Sequence, residues 1–477
     1  MNAEWTFDLS SFNDTWLFVT QLGLILLFLL IGNMIRRSIP FLRKAFIPSA
    51  LIGGLLLFLV DLGVDSICKY NGINFELVNQ RIMQIITFHM LAIGFIAMTL
   101  KIVEMDKKTP GLSAFQNGAI TGGTYMLQAV IGIGISLIFF YIAGNKYFYD
   151  AGVILPLGYG QGPGNALTWD GNFTNWYPDL FRGGGSFGLT IASIGFIAAS
   201  IGGIVYINIF KHKNQITDRR AVFSRKVEDF ESHNEIEDSE SVDKTSIQIA
   251  FVALSYAIAF GIMCLFAGLT KWTGVKLFND VAWGFNFIWG VIAATLVKAV
   301  FKFFKKHKVV KRKYINNYQM DRISGFAFDM MIIAGVAAID INVVTEYIWL
   351  ILTLTIVGAV VTVVYVRIMT KICYPTFQHE AFLLNYGTLT GTASNGMILL
   401  REIDPNFETP ASNVYIISQF PAMLFVAPIL LLLKTGSSSL TMTYVTMGIF
   451  AGLFILYTTF LILTGKGILF KKARRAE

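Results

Sequence analysis

Residues 155–171 read LPLGYGQGPGNALTWDG and interrupt an otherwise strongly apolar sequence. Four glycines alternate with other residues here, and Pro163 stands among them. Glycine tolerates almost any backbone angle and proline offers no amide proton, so we predict that neither a helix nor a strand runs unbroken through this stretch. Broken backbone at membrane depth is tolerated only where protein or a water-filled cavity satisfies its polar groups. The stretch therefore predicts the tip of a re-entrant hairpin that binds a small polar solute and its coupling ion.

The composition of the whole chain is that of an integral membrane protein. Of 477 residues, 55% are hydrophobic and only 14% are charged, whereas soluble domains carry roughly 25% charged residues. Three scattered cysteines without CxxC spacing indicate neither a disulfide framework nor a metal knuckle. No Lys or Arg precedes the first apolar run, so we expect that run to be a retained span rather than a secretory signal.

Apolar runs of about 20 residues predict the membrane spans. They lie at 15–35, 47–65, 82–103, 115–143, 185–210, 246–270, 280–301, 323–341, 346–373, 410–433 and 441–465. Two further segments, 148–170 and 377–402, are too interrupted to be simple spans. Residues 211–245 form a charged linker, basic first and then acidic. We expect a solvated cytoplasmic connector there, with a regulatory docking segment as the alternative.

The positions of Lys and Arg predict the topology, because cytoplasmic loops are rich in these residues. A basic cluster at 36–44 follows the first span, which puts that loop inside and the N-terminus outside. If 148–170 crossed the membrane, the basic linker would lie outside, whereas a segment that dips in and returns keeps it inside. By the same count, 377–402 returns to the cytoplasm and the C-terminus is cytoplasmic. The net charge of +8 is then explained by basic residues in the cytoplasmic loops, and it does not indicate a nucleic-acid partner.

Each half of the chain reads as four spans, a hairpin and a fifth span. The halves are 1–210 and 246–433, and five crossings in each would give them opposite orientations in the membrane. Tyr159-Gly160 has an echo in Tyr386-Gly387, and Phe88-His89-Met90 resembles Phe328-Asp329-Met330. The predicted fold is an all-α integral membrane protein with two inverted repeats of five transmembrane helices. Each repeat has a re-entrant hairpin, and 441–465 adds one extra C-terminal helix.

The second hairpin carries hydroxyls where the first carries glycine, as YGTLTGTASNG at 386–396 shows. Sodium prefers carbonyl and hydroxyl oxygens, and helix N-termini at the tips supply amide donors for a carboxylate. The alternative is that glycine and small hydroxyl residues only allow close helix packing. The candidate substrate- and ion-binding residues are Gly158, Tyr159, Gly160, Gln161, Gly162, Gly164, Asn165, Thr168, Thr388, Thr390, Gly391, Thr392, Ser394 and Asn395.

Three ionisable residues are candidate coupling or charge partners, because a charge inside the membrane is costly and therefore suggests a function. Asp329 lies about two turns inside its span and could help to hold sodium or a proton, or it could be paired structurally. His89 occupies a similar position in the third span, where a satisfied buried histidine is the alternative. Arg401 could meet an anionic substrate or could snorkel to the cytoplasm.

Several stretches resemble the bacterial sodium/glutamate symporter family over about residues 15–433. They are IPSALIGGLL at 47–56, MLAIGFIAM at 90–98, the glycine hairpin, SIGFIAASIGGIVY at 193–206 and TGTASNGMILL at 390–400. The resemblance implies a homodimer in a bacterial plasma membrane that moves sodium and glutamate together, with no cofactor besides the coupling ion. The chain departs from the family in both hairpins, in the linker and in the last span. Another small organic anion or amino acid, driven by sodium or protons, is the alternative substrate.

An intramembrane enzyme and a channel are the alternatives to a transporter. The chain has no HExxH motif, and its five histidines are far apart in the sequence, so an intramembrane enzyme is not indicated. A channel would also use broken helices, and the sequence leaves that alternative open.

Overall fold

The computed structural model describes residues 12–44, 47–73, 75–101, 111–144, 146–212, 244–274, 282–283, 286–307, 314–404 and 409–476. These residues form α-helices joined by short turns and contain no β-strand. The first half contains α1 (Phe12–Ser38), α2 (Pro40–Lys44), α3 (Ser49–Tyr70), α4 (Gln80–Leu100), α5 (Gly111–Ile142), α6 (Ile154–Gln161), α7 (Pro163–Trp176) and α8 (Ser186–His212). The second half contains α9 (Lys244–Thr273), α10 (Asn286–Lys306), α11 (Asn317–Ala337), α12 (Ile341–Cys373), α13 (Gln378–Thr390), α14 (Ala393–Ile403), α15 (Ala411–Gly436) and α16 (Leu440–Ala476).

Nine helices in the described part of the chain are long and apolar enough to cross a membrane. They are α1 from Trp16 onward, α3, α4, α5, α8, α9, α10, α12 and α16 as far as Gly465. Helix α15 is a tenth candidate, bent by 48° where Pro421 begins its second part, because a proline inside a helix removes a hydrogen bond and clashes with the preceding turn. The predicted span 323–341 corresponds to α11, which lies outside these candidates. The chain is therefore a multi-pass, all-helical membrane protein. Most of the predicted linker, 213–243, falls outside the described residues.

One polar arrangement caps α4 in the first half. The side chain of Asn79 accepts a hydrogen bond from the Ile82 amide at 3.0 Å and so caps the helix. Gln21 of α1 accepts from the Asn79 amide at 3.0 Å and donates to the Leu77 carbonyl at 2.9 Å. The Gln21 side chain therefore ties α1 to the start of α4 with two hydrogen bonds.

The second half repeats this arrangement at the start of α11. Asn316 caps α11 by accepting from the Gln319 amide at 2.9 Å. Gln248 of α9 accepts from the Asn316 amide at 3.0 Å and donates to the Tyr314 carbonyl at 2.7 Å. Gln21 and Gln248 are both buried, with 2% and 0% exposure. The backbone amide and carbonyl at each helix start therefore depend on the glutamine as their hydrogen-bond partner.

The helices form two packed groups. The first contains α1, α3, α4, α9, α10 and α11, and its central contact is between α4 and α11. The second contains α5 to α8 and α12 to α16, where α5 packs against α12, α15 and α16. The groups meet mainly where α7 and α8 lie against α4 and α11. The broken helices α6, α7, α13 and α14 all belong to the second group, so α7 brings one break to the boundary.

The extra C-terminal helix α16 is part of the second group. Thr464 of α16 accepts a hydrogen bond from Gln116 of α5 at 3.1 Å, and Thr458 lies 3.2 Å from the hydroxyl of Tyr365 on α12. Gly465 lies so close to Ile372 that a β-carbon at this position would be 3.0 Å from the Ile372 carbonyl oxygen. The helix thus holds α5 and α12 together along one side.

Replacing Gln21 or Gln248 with Leu should destabilise the protein by about 1–3 kcal/mol, because each change leaves one backbone amide and one carbonyl unpaired. The free energy of unfolding in detergent micelles, measured by titration with a denaturing detergent, tests this. Thr20→Ala is the control, since the exposed Thr20 hydroxyl bonds only within its own helix. A loss for either glutamine variant no larger than that of the control would contradict the prediction.

Candidate solute and ion site

The first break in the glycine-rich stretch lies at Gly162. Helix α6 ends at Gln161 and α7 begins at Pro163. Gly162 has φ +79° and ψ −174°, a conformation that residues with a β-carbon rarely adopt. Pro163 at the first position of α7 needs no hydrogen-bond acceptor for its nitrogen. The prediction that no element runs unbroken through this stretch is confirmed, although the residues on either side of Gly162 are helical.

The second break lies at Gly391 and Thr392, between α13 and α14. The chain reverses here, because a β-carbon on Gly387 would lie 2.7 Å from the Cα of Gly396. Nine residues of continuous helix would separate these positions by about 13 Å along the axis. Helices α13 and α14 therefore lie side by side as a hairpin.

The two breaks meet. A β-carbon built on Gly162 would lie 3.3 Å from Cγ2 of Thr392 and 4.0 Å from the carbonyl oxygen of Gly391. It would also lie 3.8 Å from Cε of Met331, which belongs to α11 in the other helix group. The point where the breaks meet is thus at the boundary between the two groups.

Three other glycines of the first hairpin serve close packing, as the alternative interpretation predicts. A β-carbon on Gly158 would lie 2.8 Å from Cγ2 of Ile191, and one on Gly164 would lie 2.8 Å from the Leu91 side chain. A β-carbon on Gly160 would overlap the ring of Tyr125. These positions let α6 and α7 sit directly against α8, α4 and α5.

Two tyrosines fix the first helix of each hairpin. The hydroxyl of Tyr159 donates to the Thr355 carbonyl of α12 at 2.5 Å, and that of Tyr386 donates to the Ala198 carbonyl of α8 at 2.7 Å. Both rings are almost completely buried, and each bonds to a helix from the other half of the chain. Since its hydroxyl hydrogen is used in this bond, Tyr159 positions α6 in this structure.

The hydroxyl groups near the breaks donate to their own helices. Thr168 donates to the Gly164 carbonyl at 2.9 Å, Thr388 to Leu384 at 2.8 Å and Thr390 to Tyr386 at 2.6 Å. Each hydroxyl oxygen keeps lone pairs with which it can accept a hydrogen bond or bind a cation. Ser394 lies in the first turn of α14.

Four side chains at the breaks carry buried polar atoms without a hydrogen-bond partner. Asn165 is 1% exposed, and neither its amide nitrogen nor its oxygen has a partner. Oε1 of Gln161, Oγ1 of Thr392 and Nδ2 of Asn395 are also unpartnered. Leaving such atoms dry and unpaired costs about 1–3 kcal/mol each. Their concentration where the breaks meet is the pattern expected of a site that holds a polar ligand.

The backbone at the breaks adds donors and acceptors to this set. Helix α7 starts at Pro163 and α14 starts at Ala393, so both hairpins present a helix N-terminus at the point where they meet. Amides of a first helical turn have no partner within the helix and attract anions. The ends of α6 and α13 bring unpaired carbonyls, which suit a cation. The arrangement can hold an anionic group and a small cation without a charged side chain.

Residues outside both hairpins also lie near the breaks, and the sequence analysis did not predict them. Gln128 of α5 donates to the Thr362 hydroxyl at 2.7 Å and to the Leu389 carbonyl at 3.1 Å, while its Oε1 is buried without a partner. The Gln161 side chain lies within hydrogen-bonding reach of the Tyr125 hydroxyl. The sequence did offer one indication for Gln128, because its polar side chain lies in the middle of an apolar span.

Two of the three ionisable candidates, Asp329 and His89, interact with residues of other helices. Asp329 interacts electrostatically with Arg36 of α1 and points about 200° around α11 from Met331, because helical residues two apart differ by that angle. Nδ1 of His89 is 2.5 Å from the hydroxyl of Tyr256 on α9. Arg401 is about 12 Å along α14 from Ala393 and is exposed. A coupling role for these residues stays a prediction.

Two features of the described residues bear on an enzymatic function. Residues 184–188 read GGSFG, which has the GxSxG spacing of a nucleophile elbow. That elbow requires a strand before the serine, whereas here turns precede Ser186, which begins α8 and accepts from the Asp340 amide at 2.9 Å. The described part of the chain also holds no group of three or more His, Cys, Asp or Glu side chains that could bind a metal.

The helical fold defines a multi-pass membrane protein, and the buried polar break inside its helix bundle is a candidate solute site. A family model described as sodium/glutamate symporter matches residues 17–380. That match covers about three quarters of the chain, and the chain belongs to this family. The family consists of transporters and not of enzymes. The match includes the first break and ends before the second. A search of curated proteins finds no match to the chain.

Cysteines introduced at Gly162 and Thr392 should form a disulfide, because a β-carbon on Gly162 would lie 3.3 Å from Cγ2 of Thr392, about where a sulfur atom on residue 392 would stand. The background is the chain with Cys68, Cys264 and Cys373 replaced by Ala, and peptide mass spectrometry after mild oxidation measures the cross-link. The control pair is Gly171→Cys with Thr392→Cys, since Gly171 lies about 13 Å further along α7. Equal cross-linking of both pairs, or none in either, would show that the breaks do not meet.

Proposed function

We propose that the protein is a secondary active symporter that carries glutamate into the cell together with sodium, at the point where the two breaks meet. The observation that carries this proposal is the cluster of unpartnered polar atoms on Gln161, Asn165, Thr392 and Asn395 inside the helix bundle. Membership of the sodium/glutamate symporter family supports both the substrate and the coupling ion. Sodium here is cargo of the transport cycle and not a resident cofactor.

The substrate carboxylates are held by neutral donors. The amide nitrogens of Asn165 and Asn395 and the first-turn backbone amides of α7 and α14 supply hydrogen bonds of the charge-assisted kind. A site without a fixed positive side chain avoids the cost of burying an uncompensated cation when the substrate is absent. The substrate would therefore enter and leave with sodium as its counter-charge, which explains coupling in electrostatic terms.

Sodium is bound by oxygen atoms near the same point. Oε1 of Gln161, Oδ1 of Asn165 and Oγ1 of Thr392 are unpartnered, and the carbonyls that end α6 and α13 lie beside them. Hard cations prefer such oxygens, and half-helix ends of this kind serve the same purpose in other secondary transporters. The hydroxyls of Thr168, Thr388 and Thr390 are further candidate ligands through their lone pairs.

The chain consists of two inverted repeats, 1–210 and 246–433, with re-entrant hairpins at 148–170 and 377–402. Matching cap arrangements support this: Gln21 with Asn79 in one half and Gln248 with Asn316 in the other. The helices before the hairpins are similarly long, with 32 residues in α5 and 33 in α12. The hairpin helices have 8, 14, 13 and 11 residues, so none spans the roughly 30 Å hydrocarbon core alone.

The topology follows from the same division. The N-terminus lies outside and the C-terminus in the cytoplasm, the charged linker 211–245 is cytoplasmic, and the membrane is a bacterial plasma membrane. The basic residues at the ends of α1, α8 and α10 support this orientation through the positive-inside rule. A homodimer is proposed from family membership alone.

Transport proceeds by movement of one helix group against the other. Both hairpins belong to the group that contains α5 and α12, and the boundary with α4 and α11 runs beside Gly162. Contacts at this boundary include Leu91 against Gly164 and Gly335 against Pro163. Such small apolar contacts can re-form in a second arrangement, so a rigid-body shift would expose the site alternately to the two sides.

Uptake by proteoliposomes tests the function. Labelled glutamate should accumulate when a sodium gradient is imposed and should not accumulate without it. Aspartate, neutral amino acids and small organic anions are compared in the same assay, because the family match ends before the second break. Sodium-driven uptake of another anion with no uptake of glutamate would reject the substrate alone. Conductance without saturable, gradient-driven uptake would reject the symporter itself in favour of a channel.

Asn165→Ala and Asn395→Ala should each lower kcat/KM for uptake by about tenfold or more, because each removes a buried charge-assisted hydrogen bond to the substrate. Initial uptake rates at saturating sodium give the values, and membrane yield checks insertion. Asn71→Ala is the matched control, since Asn71 is exposed and bonds only to its own helix. If both site variants transport like the control, these side chains do not contact the substrate.

Asp329→Asn should leave the sodium concentration for half-maximal uptake unchanged. The reason is that Asp329 interacts electrostatically with Arg36 and points about 200° around α11 from Met331, the residue of α11 that lies at the break. Asp321→Asn is the control on the same helix, because Asp321 forms an exposed ion pair with Lys101, and such pairs contribute about 1 kcal/mol at most. A shifted sodium curve for Asp329→Asn would instead make Asp329 a coupling residue.

A further inference from the structure

A separate cavity of about 470 Å³ lies where α12 ends and α13 begins. Its lining residues are Arg367, Lys371, Pro375, Thr376, Gln378, His379 and Glu380. Gln378 starts α13 and Thr390 ends it, so the cavity is about 18 Å along that helix from the second break. It therefore does not belong to the solute site described above.

Arg367 is held rigidly at this cavity. Its guanidinium lies over the rings of Tyr206 and Phe210, at 5.5 Å and 5.0 Å from their centroids. Tyr206 in turn is fixed by a 2.9 Å hydrogen bond between its hydroxyl and Nδ1 of His379, and by stacking on Phe382. Stacking on two aromatic rings fixes the guanidinium plane before any ligand binds.

One nitrogen of this guanidinium lacks a hydrogen bond. Nη1 of Arg367 is buried and has no hydrogen-bond partner, which is costly for a charged donor. Lys371 adds a second positive charge to the same lining and Glu380 adds one negative charge. The positive side chains outnumber the acidic one, so the cavity favours an anionic group with several acceptor oxygens.

An exposed apolar stripe leads along α12 to this cavity. Val360, Val364 and Ile368 are 58%, 52% and 47% exposed and recur every four residues, so they lie on one face of the helix. Lys371 follows Ile368 by three residues, which places it on the same face at the end of the stripe. The adjacent side of α12 packs against α16 through Tyr365. The stripe and the cavity together are about 16 Å long, measured from Val360 to Lys371.

We propose that this cavity binds the phosphate of an anionic phospholipid, with an acyl chain lying along Val360, Val364 and Ile368. Arg367 donates to the phosphate from a fixed position, and Lys371 contributes a second positive charge from the rim. Basic residues at the end of an apolar helix face suit this ligand, because one molecule satisfies both the charge and the exposed apolar surface. A free anion would satisfy the charge alone.

The bound lipid joins elements of different helices. Arg367 belongs to α12, Tyr206 to α8 and His379 to α13, and all three meet at the cavity. The lipid would therefore stabilise the contact between α8, α12 and the start of the second hairpin. This effect is independent of the substrate and of sodium, so it would be measurable on the purified protein without transport.

Native mass spectrometry of the full-length protein in detergent tests the proposal, with phosphatidylglycerol and phosphatidylcholine as the added lipids. Phosphatidylglycerol should bind in preference to phosphatidylcholine. Lys371→Gln should weaken phosphatidylglycerol binding about fivefold, the factor expected for one basic contact to an anionic lipid. Arg367→Gln should weaken it about tenfold, and Arg367→Lys should recover part of the loss.

Lys305→Gln is the matched control, because Lys305 is an exposed basic residue in the last turn of α10 and outside the cavity. It should bind phosphatidylglycerol like the unmodified protein. Since Arg367→Gln removes a packed side chain, Lys371→Gln at an exposed position decides the outcome if the first variant unfolds. Equal binding by all variants, or no preference for phosphatidylglycerol, would overturn the proposal. Binding of inorganic phosphate or glutamate that is lost in Arg367→Gln, without lipid preference, would also overturn it and identify a free-anion site.

Discussion

Every polar group that loses water inside a membrane needs another partner, and this requirement governs the structure at its two breaks. Helices α6, α7, α13 and α14 end or begin at one point, so their terminal amides and carbonyls come together with the side chains of Asn165 and Asn395. Each unsatisfied group costs free energy in a low-dielectric interior. The surrounding helices must therefore keep lipid away from this point while leaving room for a ligand that supplies the missing partners.

The close approach of helices to the breaks depends on small residues and on two anchored tyrosines. Gly158, Gly160 and Gly164 let α6 and α7 contact α8, α5 and α4 directly. Tyr159 and Tyr386 each bond to a carbonyl in the other half of the chain. These contacts hold two interrupted segments in a defined position, although none of their four helices is long enough to cross the membrane alone. The break is thereby both polar and rigid, which favours selective binding.

The matching glutamine arrangements show how the two halves reach similar geometry from different sequences. Gln21 and Gln248 each make two backbone hydrogen bonds at the start of α4 and α11. Helices α4 and α11 pack on each other at the centre of the first group. A firmly capped central pair gives the second group a stable surface to pack against. The cavity beside Arg367 lies on the second group, away from that surface, where a lipid can contact it.

Most of the membrane-spanning helices could be predicted from hydrophobic runs, because the bilayer sets the length of a span. The interruption at Gly162 was readable from glycine and proline, the polar second segment from its hydroxyl residues, and the family from the stretches that resemble it. Contacts between residues far apart in the sequence could not be predicted. The local sequence does not identify the residues that Gln128, Met331 and Asp329 contact or interact with.

The sequence by itself determined that this is a helical membrane protein with two interrupted segments of polar character. It did so because glycine, proline and apolar periodicity act locally. Only the tertiary structure decided that Gly162 and Thr392 touch, and that Asn165 and Asn395 are buried without partners. It also gave Asp329 an electrostatic interaction with Arg36 and placed His89 against Tyr256. Burial and pairing depend on which helices pack together, and the packing of distant segments has no counterpart in local sequence pattern.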